Sequence, residues 1–169
     1  MSLSAVAKRV AKQLKQGQTR VVFAESCTGG LIAAALARNA GISEFLCGSA
    51  VTYRNDTKHH WLGVPRDLLN SPGPASKIVA ERMVRGVLQS TPEADLGAAV
   101  TGHLGPAAPL PLDGLVYVAI ARRSGLNQQT QIQVRQLGLR SRTRFARQRE
   151  AAERVLDSLL ETLKHGYHP

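Results

Sequence analysis

The sequence predicts an α/β domain of three layers, α/β/α, built on a mixed sheet that is mostly parallel and ends in an antiparallel hairpin. Three observations lead there. Segments with helical periodicity alternate with short apolar segments through most of the 169 residues, the pattern of strands joined by crossover helices. The last two strand-like segments are separated only by a tight turn, which forces them to run antiparallel. Finally, 43% of the residues are hydrophobic but only 4% aromatic, so a core is available and must be built from Ala, Val, Leu and Ile.

Taken in order, Leu3, Val6, Ala7, Val10 and Leu14 recur at helical spacing, predicting an amphipathic helix over 3–16 capped by Ser2 or Ser4 and ended by Gln16-Gly17-Gln18. Arg20 to Ala24 is a short apolar strand expected to be buried on both faces. Leu31 to Ala40 is Ala-rich and helical, with Gly41 at the place of a left-handed cap. Cys47 to Tyr53 reads as the second strand. Pro65 starts a short helical turn, Ser71-Pro72-Gly73-Pro74 is a rigid connection, and Ser76 caps a helix to Gln89 with Val79, Ala80, Met83, Val84 and Val87 inward.

Leu96 to Thr101 is the third strand, followed by an irregular, proline-rich stretch over 103–113. Leu115 to Ile120 is the fourth, and Ser124-Gly125-Leu126-Asn127 turns into Gln131 to Arg135, whose alternation suits a half-exposed strand. A closing helix over 142–163 is expected to bury Phe145, Ala152, Val155, Leu156, Leu159 and Leu163. No repeat or linker interrupts the chain, and 169 residues suit one domain at roughly 100–200 residues each.

Lys and Arg number 22 against 12 Asp and Glu, a net charge of +10 that favours anionic partners. The excess gathers at Lys8, Arg9, Lys12, Lys15 and Arg20, and at Arg135, Arg140, Arg142, Arg144, Arg147 and Arg149; solvated helix faces would account for it equally well. Few aromatics and no recognisable binding motif argue against a nucleic-acid-binding protein. There is no apolar run of membrane-spanning length, and the charged N-terminus does not read as a secretory signal. Cys27 and Cys47 are read as free thiols in a reducing, cytoplasmic setting. The histidines lack metal-ligand spacing and there is no phosphate-binding Gly-Lys-Ser/Thr loop, so no metal or cofactor is expected.

The most informative segment is Ala24-Glu25-Ser26-Cys27-Thr28-Gly29-Gly30, where a buried strand runs straight into a helix. Ser26 then lies near a helix N-terminus, whose free amides can stabilise an anion. Gly29 and Gly30 would let a ligand approach the backbone. The competing role for Ser26 is a helix cap. A serine nucleophile needs a base, and Tyr53 and Lys58 follow the second strand. Burial would strip a lysine of part of its proton affinity and let it accept the serine proton, whereas an ordinary surface lysine would do nothing. Thr101-Gly102-His103-Leu104-Gly105-Pro106 follows the third strand and could reach the same sheet edge.

Together these segments resemble the C-terminal domain of the competence/damage-inducible protein CinA, the nicotinamide-nucleotide amidase family. The matching residues are Ala24 to Gly30, Val51 through Lys58 and Leu62-Gly63-Val64. Gly73, Ser76, Ala80, Met83 and Gly86, Thr101-Gly102 with Gly105-Pro106, Gly114, Gly138, Arg140 and Arg144 follow in order. Glu-Ser-Cys-Thr-Gly-Gly together with Val-Thr-Tyr-x-Asn-x-x-Lys is the specific part. The molybdopterin-binding-like half of longer members has no counterpart in these residues.

The resemblance implies hydrolysis of nicotinamide mononucleotide to nicotinate mononucleotide and ammonia without a cofactor, with Ser26 as nucleophile, Lys58 as general base and Tyr53 orienting or activating the pair. It places Thr28, Gly29, Gly30, Asn55, Thr101, Gly102 and Arg140 beside the small nucleotide substrate, Arg140 as a candidate phosphate or active-site contact. A catalytically silent nucleotide-binding domain is the alternative, and a symmetric homodimer is the expected assembly. Departures from the family pattern fall on the rim: His103-Leu104 replaces small apolar residues, Ala107 to Pro111 replaces glycine, and Pro74-Ala75 replaces Ala-Val.

Overall fold

The structure, a computed structural model, describes residues 1–124 and 129–165. Helix α1 (Leu3–Gln16) is capped by Ser2, whose hydroxyl accepts from the Ala5 amide, and buries Val6, Val10 and Leu14. Strand β1 (Val21–Glu25) is buried along its whole length. Helix α2 (Leu31–Ala37) ends three residues before the expected Ala40, because the Asn39 side chain donates to the Leu36 carbonyl and takes an acceptor the helix would have used. Gly41, at φ 70°, therefore turns the chain beyond the helix rather than capping it.

Strand β2 (Leu46–Val51) is followed by α3 (Asn55–Leu62), a helix that the weakly amphipathic run Asn-Asp-Thr-Lys-His-His-Trp-Leu did not announce. Helix α4 (Arg66–Asn70) starts after Pro65, and α5 (Lys77–Gln89) is capped by Ser76, which accepts from the Val79 amide. Strands β3 (Leu96–Gly102), β4 (Leu115–Ser124) and β5 (Gln129–Gly138) complete the sheet before helix α6 (Arg144–His165). Both hairpin strands outrun their apolar stretches, since pairing continues from Leu115–Gly138 to Ser124–Gln129 and satisfies the backbone of the polar ends. Of the expected turn, residues 125–127 lie outside the described ones.

The sheet has the order β2-β1-β3-β4-β5, so the chain is a mixed α/β fold. Its parallel pairings join β2, β1 and β3, while both ladders of the β4–β5 hairpin are antiparallel. Alternation along the strands feeds two cores. Val21, Phe23, Leu96, Ala98, Val100, Val116 and Val118 face α1, α2 and α6. Val22, Ala24, Ala99, Ala119 and Ala121 face α5 and the ends of α3 and α4. On α6, Ala152, Val155, Leu156 and Leu159 are buried as expected and Leu163 is partly so, but Phe145 is 71% exposed. Burial on α6 begins only at Ala151, and at the first turn the Phe145 ring lies 6.0 Å from the Arg149 guanidinium carbon.

Close packing of α5 on α3 fixes the position of the latter. A Cβ on Gly86 would lie 2.7 Å from the Leu62 carbonyl carbon, so only glycine lets the end of α3 sit against α5. No helix among the described residues is long and apolar enough to cross a membrane.

Candidate active site

Three parallel strands end at one edge of the sheet, and the loops leaving them converge. Ser26 follows β1, Thr52 and Tyr53 follow β2, and His103 follows β3. Such an edge is where open α/β sheets place their ligands. A cavity of about 340 Å³ opens there, lined by Ser26, Cys27, Tyr53, Asn55, Lys58, Thr101, Gly102 and Arg144, with Pro74-Ala75 and the loop from His103 to Ala108 as walls.

Ser26 is not a helix cap. The N-cap of α2 is Gly30, at φ 95°, and no side-chain hydroxyl caps the helix. The carboxylate of Glu25 does that work from inside the protein. It accepts from the amides of Gly30 (3.0 Å), Ile32 (3.1 Å) and Ala33 (3.0 Å) and from the hydroxyls of Thr28 (2.7 Å) and Ser49 (3.0 Å). The anion favoured at this helix terminus is thus the chain's own. Five donors offset the desolvation of a carboxylate that has no exposed surface.

With capping assigned to Glu25, the Ser26 hydroxyl is available to Lys58. Their Nζ–Oγ separation is 2.9 Å, and both residues are buried. Nζ also donates to the carbonyls of Thr52 (3.0 Å) and Tyr53 (3.5 Å). Desolvation by burial pulls the lysine down from 10.5 to about 8. A neutral amine has two N–H donors, which the two carbonyls take, and its lone pair then faces the serine hydroxyl. Neighbouring Cys27 is no competing nucleophile: burial pushes its thiol up to about 12.

The remaining expected site residues divide. Thr101 lines the cavity with its hydroxyl donated to the Pro74 carbonyl at 2.8 Å, and Gly102 and Asn55 line it too. Tyr53 meets the lysine through its backbone carbonyl. Its hydroxyl, on a half-exposed side chain, accepts instead from Arg144 Nη2 at 2.7 Å. Thr28, Gly29 and Gly30 do not line the cavity, because their polar groups are spent inside the fold. The Thr28 hydroxyl and Gly30 amide serve Glu25, and the Gly29 amide donates to the Ser26 carbonyl at 3.0 Å. Arg140 lies outside as well: its amide binds the Glu150 carboxylate at 3.0 Å, and its side chain borders a separate surface depression with Phe145 and Arg149.

Two residues emerge that sequence reasoning left without a role. Glu25 sat in the motif, but nothing local announced that its side chain would turn back onto the following helix. Arg144 takes the place expected of Arg140: it lines the cavity and donates to the Gly105 carbonyl at 2.7 Å as well as to Tyr53. The lining contains Lys58, His103 and Arg144 and no Asp or Glu, so the cavity favours an anionic ligand.

Comparison with known proteins gives a consistent result. The family profile described as CinA C-terminal domain matches residues 3–163. A CinA-like protein of Syntrophotalea carbinolica is 40% identical over 118 residues, covering 69% of this chain and 28% of its own length. A putative competence-damage inducible protein of Desulforudis audaxviator is 42% identical over 113 residues, 64% of this chain and 26% of its own. The chain therefore spans roughly a quarter of the length of these curated relatives. Among solved structures, a competence-damaged protein (CinA) superfamily protein of Klebsiella pneumoniae superposes with a TM-score of 0.88 at 28% identity, over 98% of this chain and 99% of that one. The competence/damage inducible protein CihA of Agrobacterium tumefaciens superposes with a TM-score of 0.85 at 31% identity, over 94% of each chain.

Proposed function

Because the chain belongs to the CinA C-terminal domain family, we propose that it is an amidase hydrolysing the carboxamide of nicotinamide mononucleotide to nicotinate mononucleotide and ammonia. The observation that carries this reading is the buried Lys58 Nζ at 2.9 Å from the Ser26 hydroxyl, in a cavity without carboxylates.

In the forward step, neutral Lys58 takes the Ser26 proton as Oγ attacks the carboxamide carbon. The tetrahedral intermediate carries the negative charge on the former carbonyl oxygen. Within the turn, the amides of Ser26, Gly29 and Gly30 are committed to Val100, Ser26 and Glu25 oxygens, which leaves the amide of Cys27, a residue that lines the cavity, as the turn's donor for that oxyanion. Lys58 then returns its proton to the nitrogen, the C–N bond breaks, ammonia leaves, and Ser26 holds the acyl group as an ester. Water, deprotonated by the same lysine, attacks the ester and releases the carboxylate product with Ser26 restored. The phosphate of the substrate suits the positive rim at Arg144.

Ammonia release from nicotinamide mononucleotide tests the reading, with Ser26→Ala and Lys58→Ala run alongside. Wild-type turnover abolished in both variants is expected. Turnover equal in Ser26→Ala would remove the serine mechanism, and binding without turnover would make the domain a silent nucleotide-binding one.

A further inference from the structure

The wall of the cavity between Leu104 and Ala108 is attached to the rest of the protein in an unusual way. Its two ends are ordinary: the His103 amide donates to the Leu115 carbonyl at 2.9 Å, and the Gly114 amide to the His103 carbonyl at 3.0 Å. Between them, among the described residues, no backbone-to-backbone hydrogen bond ties residues 104–108 to the rest of the fold. The Leu104 side chain is buried in the core beneath α6, but the wall proper follows it. Its carbonyls are held by arginines of the first turn of α6. Arg147 Nη1 donates to Leu104 at 3.2 Å, and Arg144 Nη1 donates to Gly105 at 2.7 Å.

Arg147 itself lines no part of the cavity. Its guanidinium is bidentate on Asp113, at 2.7 and 2.8 Å, and its Nε donates to the Ser141 carbonyl at 2.8 Å. The side chain is only 12% exposed. The loop folds tightly around it. Gly105, at φ 66°, has no room for a Cβ, which would lie 2.7 Å from Arg147 Nη1 and collide with Asp113; at Gly114 a Cβ would come within 3.3 Å of Arg147 Cζ. One guanidinium thus joins the start of the loop, its end, and the segment leading into α6. A planar fork with several fixed donors can do this; a lysine ammonium cannot.

We infer that Arg147, locked by Asp113, is a positioning residue that holds the 104–108 wall of the Ser26 cavity in place and so governs substrate binding from outside the cavity. The inference rests on the amidase reading for its kinetic part and on the loop geometry alone for its structural part. If it holds, loss of the latch loosens the wall and weakens binding while the Ser26–Lys58 pair, carried by β1 and α3, is untouched.

Arg147→Met, Arg147→Lys and Asp113→Asn test it by steady-state kinetics on nicotinamide mononucleotide and by amide hydrogen exchange. Arg147→Met is expected to raise KM about tenfold with kcat within about threefold of wild type. Arg147→Lys should recover part of the loss, and Asp113→Asn should move KM in the same direction. The amides of residues 104–108 should exchange about tenfold faster in Arg147→Met. Unchanged KM and exchange in the variants would overturn the latch, as would a fall in kcat with KM unmoved. Should Arg147→Met fail to fold, Asp113→Asn decides by the same readouts. A wild-type protein inert toward the nucleotide would sink the amidase reading only; exchange at 104–108 would then judge the latch alone, faster exchange supporting it and unchanged exchange refuting it.

Discussion

Lys58 Nζ lies 2.9 Å from Ser26 Oγ and 3.0 Å from the Thr52 carbonyl, on a side chain that is 2% exposed. A lysine so placed exchanges hydration for a small set of fixed oxygen partners. The exchange is incomplete, and burial lowers its proton affinity to about 8. The same burial that equips the lysine for the proposed role of base is therefore also a source of instability.

As a base it must be neutral, so activity should rise with pH. Below the Lys58 value of about 8, kcat/KM is expected to fall about tenfold for each pH unit, and to level off above it. A pH–rate profile flat between about 6 and 9 would exclude Lys58 as the proton acceptor.

The linked effect on stability has a defined sign. The native value is depressed from 10.5 to about 8, so the unfolded chain binds more protons between those limits and stability rises with pH across them. At or below about 8 the penalty is present in full. Lys58→Met lacks it. The stability of Lys58→Met relative to wild type should be greatest at neutral pH and decline by on the order of 2–3 kcal/mol by pH 10.5, as read from denaturant unfolding at a series of pH values. A difference independent of pH would show that Lys58 keeps its ordinary affinity.

Glu25 should be among the least replaceable residues. In Glu25→Gln one oxygen becomes an amide nitrogen, and whichever way the group is flipped it faces at least one of the backbone N–H donors of Gly30, Ile32 and Ala33. Loss of about 3–5 kcal/mol in chemical unfolding is expected, from an unsatisfied buried donor and a lost charge-assisted network. A loss below about 1 kcal/mol would remove Glu25 as the anchor of the Ser26 turn.

Tyr53 offers a graded test. Its hydroxyl meets Arg144 rather than Ser26 or Lys58, so Tyr53→Phe should lower kcat/KM by less than about tenfold, against about 1,000-fold or more for Lys58→Ala. Equal losses in the two variants would mean that the phenol reaches the reacting groups during turnover.

The layered α/β architecture and most element positions were legible because each rests on local chemistry. Helical periodicity places α1, α5 and α6, Ser2 and Ser76 supply caps, apolar runs mark β1 to β4, and alternation marks β5. Helix α3 was not legible, since its residues carry little amphipathic pattern and it is held by packing of Leu62 against Gly86. The serine, lysine and tyrosine candidates could also be named from residue type, spacing and family likeness.

The sequence by itself determined the fold class and named the candidate serine and lysine. Only the tertiary structure decided what each one touches. Ser26 is freed from capping because Glu25 takes the amides of α2, Lys58 is buried with its proton affinity lowered beside that serine, and Arg144 rather than Arg140 reaches the cavity. Local pattern encodes propensity and face, whereas the proton affinity of a lysine and the partner of an arginine depend on which distant segments surround them, and that is set when the layers pack.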